Sequence, residues 1–187
     1  MYILASKSPR RIELLKILIP QFEVIPPKIP EIIPDGVGDT YAAEYLAVKK
    51  ARSVAEEHPE DIVIGADTVV FCDEMYGKPE SADDALRMIG ELSGRVHSVF
   101  TGVCIACGKN THSFTERTLV EFDRIPISEI RNYVKSGSPL DKAGAYGIQD
   151  DFIKKYCRRI EGSYENIVGL PLAKLRNVLE LIESNEN

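Results

Sequence analysis

Residues 62–71 run Ile-Val-Ile-Gly-Ala-Asp-Thr-Val-Val-Phe, and this stretch decides the fold that the sequence predicts. It is rich in β-branched residues and apolar on both faces, which is typical of a central strand covered on both sides. An unpaired carboxylate at Asp67 would be costly within such a run, so the residue needs a cation or strong hydrogen bonds. Asp67 is therefore the best single candidate for a functional residue. The alternative is a strand-end carboxylate satisfied by structural donors.

The segments around this strand alternate between helical and strand patterns. Toward the N-terminus we predict a strand at Tyr2–Ala5, a helix from Pro9 with Ser8 as N-cap, a strand at Phe22–Ile25 and a helix from Asp39 or Thr40 to about Glu57. Toward the C-terminus we predict helices at Ala82–Leu92, Ile127–Lys135 and Pro171–Ile182, and strands at Val96–Cys107, Phe114–Phe122 and Phe152–Ile160. Because neighbouring long strands also occur, this pattern favours an α/β fold with a mixed central sheet.

Length and composition exclude several classes of protein. The 187 residues are 44% hydrophobic and 28% charged, which excludes disorder and a scaffold dependent on disulfides. No repeat, low-complexity tract or linker divides the chain, so we expect one domain over residues 1–187. The net charge of −6 disfavours nucleic acid and anionic membranes as partners. The N-terminus has no leader pattern, and the four cysteines are typical of reduced thiols, so we expect a cytoplasmic protein.

The start of the first predicted helix has the composition of a phosphate site. The segment Ser6-Lys7-Ser8-Pro9-Arg10-Arg11 follows a strand and opens a helix, where backbone N–H groups and the helix dipole favour an anion. The hydroxyl of Ser8 and the guanidinium groups of Arg10 and Arg11 would add donors. A solvated basic turn is the alternative interpretation of this segment.

Two further segments place lysines in turns. Lys78 lies in Gly77-Lys78-Pro79, and Lys142 opens Lys142-Ala143-Gly144-Ala145-Tyr146-Gly147-Ile148-Gln149. Lysine is a flexible point charge that can meet phosphates, and the amide of Gln149 offers the donor and acceptor needed to bind a nucleobase edge. Taken singly, each lysine is more often an ordinary surface residue.

Other motifs fail on spacing or on context. Cys104 and Cys107 match a C-x-x-C pair, but residues three apart on a strand face opposite sides, which disfavours zinc or redox chemistry. His97 lies in a predicted strand with no nucleophile motif beside it, so a structural role is expected.

Six short motifs occur along the chain in an order that is typical of one known protein family. They are Ser6–Arg11, Gly65–Thr68, Gly77–Pro79, Ser93–His97, Asp141–Gln149 and Val168–Pro171. The chain therefore resembles Maf proteins from residue 2 to its final helix. The resemblance implies a single α/β domain with a mixed central sheet flanked by helices and a nucleotide-binding cleft, related to the inosine triphosphate pyrophosphatase fold. Asp150 and Asp151 follow where many members have small residues, and their role is not assigned.

The resemblance also implies roles for individual residues. Asp67 matches the catalytic acidic residue, expected to act as general base, and Glu31 aligns with an acidic residue near the divalent metal, Mg²⁺ or Mn²⁺, that Asp67 would also bind. The positions associated with substrate choice are Arg10, Thr68 and Gln149, and those placed for the phosphates are Arg11, Lys50, Lys78 and Lys142.

The activity implied is that of a nucleoside triphosphate pyrophosphatase. Pro-Arg-Arg, Asp-Thr and Gly-Ile-Gln together resemble the branch that acts on dTTP and UTP, in a role of nucleotide-pool cleansing. Family members commonly form homodimers, so we expect a homodimer here. The alternative is a nucleotide-binding regulator of septum formation that does not need turnover.

Overall fold

The structure, a computed structural model, describes residues 1–185, and within them the chain forms seven strands and seven α-helices. The strands are β1 Tyr2–Ala5, β2 Glu23–Val24, β3 Ile62–Cys72, β4 Glu74–Tyr76, β5 Val96–Cys107, β6 Asn110–Phe122 and β7 Cys157–Glu161. The helices are α1 Pro9–Leu18, α2 Asp39–Ala55, α3 Ala82–Leu92, α4 Ile127–Lys135, α5 Asp151–Tyr156, α6 Tyr164–Val168 and α7 Leu172–Asn185. Two short 3-10 turns, Ser138–Asp141 and Ala143–Ala145, precede α5.

The strands form the mixed sheet that the sequence predicts. Their order is β2-β1-β3-β5-β6-β7, with β4 beside the end of β3. Strand β1 is parallel to both β2 and β3, whereas β4 is antiparallel to β3 and β7 is antiparallel to β6. Ala5 pairs with Gly65, so β1 ends beside the middle of β3, and β3 continues past it to Cys72.

Several predicted elements are confirmed with the bounds given above, and others are corrected. The strands Tyr2–Ala5 and Val96–Cys107 and the helices Ala82–Leu92 and Ile127–Lys135 are confirmed. Strand β6 begins earlier than predicted, β4 was not predicted, and α2 has Gly38 as its N-cap in place of Asp39 or Thr40.

The strand predicted at Phe152–Ile160 is wrong. Its first part is helix α5, and only Cys157–Glu161 is a strand. Phe152 and Tyr156 are four residues apart, so a helix turns them to one side, and Phe152 stacks on Tyr133 with ring centroids 4.5 Å apart. This aromatic packing favours the helical turn over a strand.

The chain divides into two compact units. The first contains Met1–Asp67, Thr101–Glu116 and the segment from Gly169 onward, and the second contains Thr68–Phe100 and Arg117–Val168. The assignment of residues 1–187 to one domain stays a prediction.

The first unit buries both faces of its part of the sheet. On one face Leu4, Ile64 and Val103 pack against α1 and α7. On the other face Ile3, Val63 and Cys104 pack against Ala47 and Ala51 of α2. Side chains alternate along a strand, so Val63, Gly65 and Asp67 share the face covered by α2. This alternation directs Asp67 toward α2.

The second unit has an apolar helix stripe and two aromatic clusters. Helix α3 buries Ala85, Met88, Ile89 and Leu92, which recur at helical spacing. One cluster joins His97, Phe122 and Tyr146, and the other joins Tyr133, Phe152 and Tyr156. The second cluster packs α5 against α4.

Candidate active site

Asp67 forms a buried ion pair with Lys50 of α2. The carboxylate residue is 8% exposed and the lysine 5% exposed, and Nζ of Lys50 lies 2.5 Å from Oδ1 of Asp67. Helix α2 comes this close because Gly65 has no side chain: a Cβ there would lie 2.6 Å from the carbonyl oxygen of Ala47 and 2.7 Å from the amide nitrogen of Ala51. The cation that the sequence demands for Asp67 is therefore Lys50.

Lys50 also binds Glu31. Its Nζ lies 2.7 Å from Oε1 of Glu31, which belongs to the proline-rich segment after β2 and keeps 48% of its side chain exposed. One ammonium group thus joins two carboxylates, one buried and one facing solvent. The resemblance to the Maf family placed Lys50 at the phosphates, and that role stays a prediction.

The start of α1 carries Ser8, Arg10 and Arg11. Ser8 occupies the N-cap position as predicted, but its hydroxyl makes no capping hydrogen bond, and its backbone N–H donates to Oγ of Ser6 at 3.2 Å. Arg11 donates from Nε to the carbonyl oxygen of Gly169 at 2.8 Å, which ties α1 to the motif Val168–Pro171.

The guanidinium group of Arg11 is close enough to the carboxylates to interact with them. Desolvation lowers the pKa of Arg11, and the charges of Asp67 and Glu31 oppose that shift, while Arg10 adds to it. The first unit therefore contains two cations, Lys50 and Arg11, that interact with the carboxylates of Asp67 and Glu31. The charge of Arg10 also acts on Arg11.

The second unit holds Thr68, Lys78, Lys142 and Gln149. Thr68 follows Asp67 on β3 and is half-buried, and Lys78 is exposed after β4. The backbone N–H of Gly144 donates to the carbonyl oxygen of Gly77 at 3.0 Å, so the segments that carry Lys78 and Lys142 are bonded side by side. Two of the predicted phosphate-binding lysines thus lie on neighbouring segments.

The ammonium group of Lys142 uses all three of its N–H donors within the second unit. They reach the carbonyl oxygen of Ser138 at 2.5 Å, Oγ of Ser138 at 3.2 Å and Oδ1 of Asp141 at 2.8 Å. A phosphate oxygen would have to replace one of these acceptors. Asp141 is the most exposed of them and so the easiest to replace. Sequence reasoning missed Ser138 and Asp141 as partners of Lys142, since nothing in their local pattern marks them.

Glu31 and Asp67 are the residues that could hold a metal ion. No group of three His, Cys, Asp or Glu side chains suited to a metal occurs among residues 1–185. A pair of carboxylates nevertheless suits Mg²⁺ or Mn²⁺, because such ions keep several waters and take their remaining oxygen ligands from substrate phosphates. The donor set fits an ion that arrives with its substrate.

The motifs set aside on sequence grounds are also absent from the site. Cys72, Cys104, Cys107 and Cys157 form no disulfide; Cys104 is buried and Cys107 is half-buried. His97 is buried and its Nε2 lies 2.9 Å from the hydroxyl of Tyr146, which confirms a structural contact. No helix among the described residues is long and apolar enough to cross a membrane.

Comparison with known proteins identifies the family. A family model described as Maf-like protein matches residues 1–182. The dTTP/UTP pyrophosphatase of Koribacter versatilis (strain Ellin345) is 47% identical over 95% of this chain and 92% of its own. The enzyme of the same name from Thermosipho africanus (strain TCF52B) is 45% identical over 95% of this chain and 91% of its own.

Two solved structures share the fold at low sequence identity. A HAM1 protein from Coxiella burnetii matches with a TM-score of 0.57 and 17% identity, over 96% of this chain and 98% of its own. The Ham1 protein of Staphylococcus aureus matches with a TM-score of 0.50 and 18% identity, over 100% and 99%. Given the family match along nearly the whole sequence, the chain belongs to the Maf-like protein family.

Proposed function

We propose that this protein is a nucleoside triphosphate pyrophosphatase that hydrolyses dTTP and UTP to the monophosphate and pyrophosphate. The observation that carries the proposal is that relatives 41% to 47% identical to this chain, over 92% or more of its length, are named dTTP/UTP pyrophosphatase. The paired carboxylates and clustered cations of the site supply the groups that this reaction needs.

The reaction transfers the nucleotidyl group, the nucleoside with its α-phosphate, to water. The water oxygen bonds to the α-phosphorus, the bond to the bridging oxygen breaks, and pyrophosphate leaves with the electron pair. Lys50 holds Oδ1 of Asp67, so Oδ2 is the oxygen that accepts the proton of the attacking water.

The remaining predicted site residues form two groups, one that contacts the phosphates and one that contacts the nucleobase. Arg11, Lys78 and Lys142, together with Ser8 and the N-terminus of α1, neutralise the triphosphate and the charge that develops on the leaving group. Arg10, Thr68 and Gln149 contact the pyrimidine and set substrate choice.

Glu31 and Asp67 would hold the divalent metal ion, Mg²⁺ or Mn²⁺. When bound, such an ion supplies Lewis-acid charge stabilisation at the phosphoryl oxygens. Lys50 pairs with both carboxylates and so links them to each other.

The test is turnover of a panel of nucleoside triphosphates, including 7-methyl-GTP, with Mg²⁺ or Mn²⁺. We expect monophosphate and pyrophosphate from dTTP and UTP, and loss of turnover when EDTA removes the ion. Asp67→Asn should lower kcat by about a hundredfold or more, because a general base contributes that much, while nucleotide still binds.

Asp73→Asn is the matched control. Asp73 is an exposed carboxylate just beyond β3, its φ of 66° suits asparagine, and it should keep wild-type kcat. Turnover of 7-methyl-GTP alone would contradict the assigned substrate. Binding of dTTP without turnover by the wild-type protein would favour the regulator of septum formation.

The partners and location are part of the same proposal. We infer a homodimer from the family resemblance, so light scattering should give twice the chain mass of 20.8 kDa. The net charge of −6 argues against nucleic acid as a partner, and four cysteines without a disulfide support the cytoplasm.

A further inference from the structure

Asp150 stands at the N-cap of α5 but does not cap it. Aspartate is among the best N-cap residues, yet this side chain makes no hydrogen bond to the helix. Its Oδ2 instead accepts hydrogen bonds from the hydroxyl of Tyr133 at 2.6 Å and from the hydroxyl of Ser138 at 2.7 Å. The Asp150 carboxylate therefore binds the hydroxyl groups of Tyr133 and Ser138 and not the first turn of α5.

One of these hydrogen bonds leads to Lys142. The Ser138 hydroxyl has a single proton, and donating it to Asp150 leaves its lone pairs to accept from Nζ of Lys142, 3.2 Å away. The carbonyl oxygen of Ser138 accepts from the same ammonium group. Asp150 thus orients the serine that holds the predicted phosphate-binding lysine.

The other hydrogen bond leads to the turn that carries Gln149. The hydroxyl of Tyr133 donates a hydrogen bond to Asp150, and its oxygen accepts one from the backbone N–H of Gly147 at 3.1 Å. The N–H of Asp150 closes the turn by donating to the carbonyl oxygen of Gly147 at 3.0 Å. Gln149 lies inside this turn, so its backbone position depends on the same carboxylate.

The side chains of Lys142 and Asp150 both approach Gly147 closely. A Cβ at Gly147 would lie 2.7 Å from Cε of Lys142 and 3.0 Å from Oδ2 of Asp150. The lysine stem and the carboxylate therefore both lie beside this glycine, next to the turn that carries Gln149.

We propose that Asp150 is a positioning residue for substrate, which sets Lys142 through Ser138 and sets Gln149 through Tyr133 and the Gly147 turn. The inference rests on the proposed function, in which Lys142 contacts phosphates and Gln149 contacts the base. Asp150 itself touches neither the substrate nor the reacting atoms.

The test compares Asp150→Ala with Asp151→Ala in steady-state hydrolysis of dTTP. Asp151 is the matched control, because its side chain is 98% exposed and forms a surface ion pair with Lys154 at 3.0 Å. We expect Asp150→Ala to raise KM about tenfold and to lower kcat by a smaller factor, because Lys142 contacts the bound triphosphate and also the charge that develops on the leaving group. Asp150→Asn keeps an acceptor oxygen and should recover part of the loss, and Asp151→Ala should stay within about twofold of wild type.

Amide hydrogen exchange at Gly147 gives a readout independent of turnover. Asp150→Ala should speed exchange there, and Tyr133→Phe, which removes the acceptor, should do so as well. A purely structural role would lower the melting temperature without moving KM away from the Asp151→Ala value, and that result would overturn the inference. If Asp150→Ala does not fold, Asp150→Asn and Ser138→Ala carry the same comparison.

The two proposals fail in different ways. A wild-type protein that does not hydrolyse dTTP or UTP contradicts the proposed function. A wild-type protein that hydrolyses dTTP while Asp150→Ala keeps its KM and its Gly147 exchange rate contradicts only the role of Asp150.

Discussion

Lys50 is the residue on which the buried charge of the site depends. Its ammonium group is the partner of Asp67 and reaches Glu31 as well, and it is itself nearly inaccessible to solvent. Removing one member of a buried ion pair leaves the other charge without compensation, which is more costly than removing both. Glu31 is half-exposed and adds little to that cost.

Lys50→Met should therefore lower the free energy of unfolding by about 3 kcal/mol, because it leaves the Asp67 carboxylate buried beside an apolar chain. Adding Asp67→Asn to Lys50→Met should recover part of that loss, since the uncompensated charge is then gone. Urea denaturation of the single and double variants measures both effects.

Lys49→Met is the matched control for this pair. Lys49 is the neighbouring residue on α2, but its ammonium group meets only a carbonyl oxygen at 3.4 Å and a tyrosine ring in the contacts known for it. It should change stability by less than about 1 kcal/mol. If Lys49→Met and Lys50→Met lowered the free energy of unfolding equally, the buried pair would not stabilise the fold.

At the scale of elements, the site depends on how closely α2 approaches β3. A methyl group at Gly65 would overlap the backbone of α2, where nothing flexible can move aside. Gly65→Ala should lower the free energy of unfolding by about 3 kcal/mol through this overpacking. It should also separate Lys50 from Asp67 and lower kcat. Urea denaturation and dTTP turnover are the measurements.

Gly90→Ala makes the same chemical change on the exposed side of α3. A Cβ there meets nothing within 4 Å, and alanine is the better helix former, so we expect stability to rise by about 0.5 to 1 kcal/mol. Loss of stability at both glycines would contradict the argument from close approach.

Elements with a strong hydrophobic period could be predicted from the sequence, and short ones could not. The run around Asp67 and the stripe of α3 carry enough buried residues to fix their type. Strand β4 has three residues and depends on a left-handed turn at Asp73, and α5 depends on stacking against Tyr133 from a distant helix. Neither cause is visible in the local sequence.

In the candidate site, too, some features could be predicted from the local sequence and others could not. A charge within the apolar run marked Asp67 as a residue in need of a cation. The identity of the cation depends on the register between α2 and β3, and the links from Asp150 to Tyr133 and Ser138 are made by the folded chain. Local pattern carries no information on such long-range pairs.

At the scale of the whole molecule, the buried histidine His97 makes stability depend on pH. Desolvation lowers the pKa of His97 to about 3, from an ordinary value of 6.5. Between these values the unfolded chain binds a proton that the folded protein does not, so stability rises with pH across this window and is lost as pH falls. The contribution of His97 should weaken by about 2 kcal/mol between pH 7 and pH 5.

His97→Gln removes that titration and keeps a polar partner for Tyr146, so its free energy of unfolding should fall about 2 kcal/mol less than that of the wild type between pH 7 and pH 5. His112→Gln is the matched control, since His112 is exposed in the folded protein and in the unfolded chain alike, and it should keep the wild-type pH dependence. Urea denaturation at the two pH values separates the variants. If the free energy of unfolding fell equally in the wild type and in both variants, His97 would take up its proton in the folded state. That would require water to reach the ring between Phe122 and Tyr146.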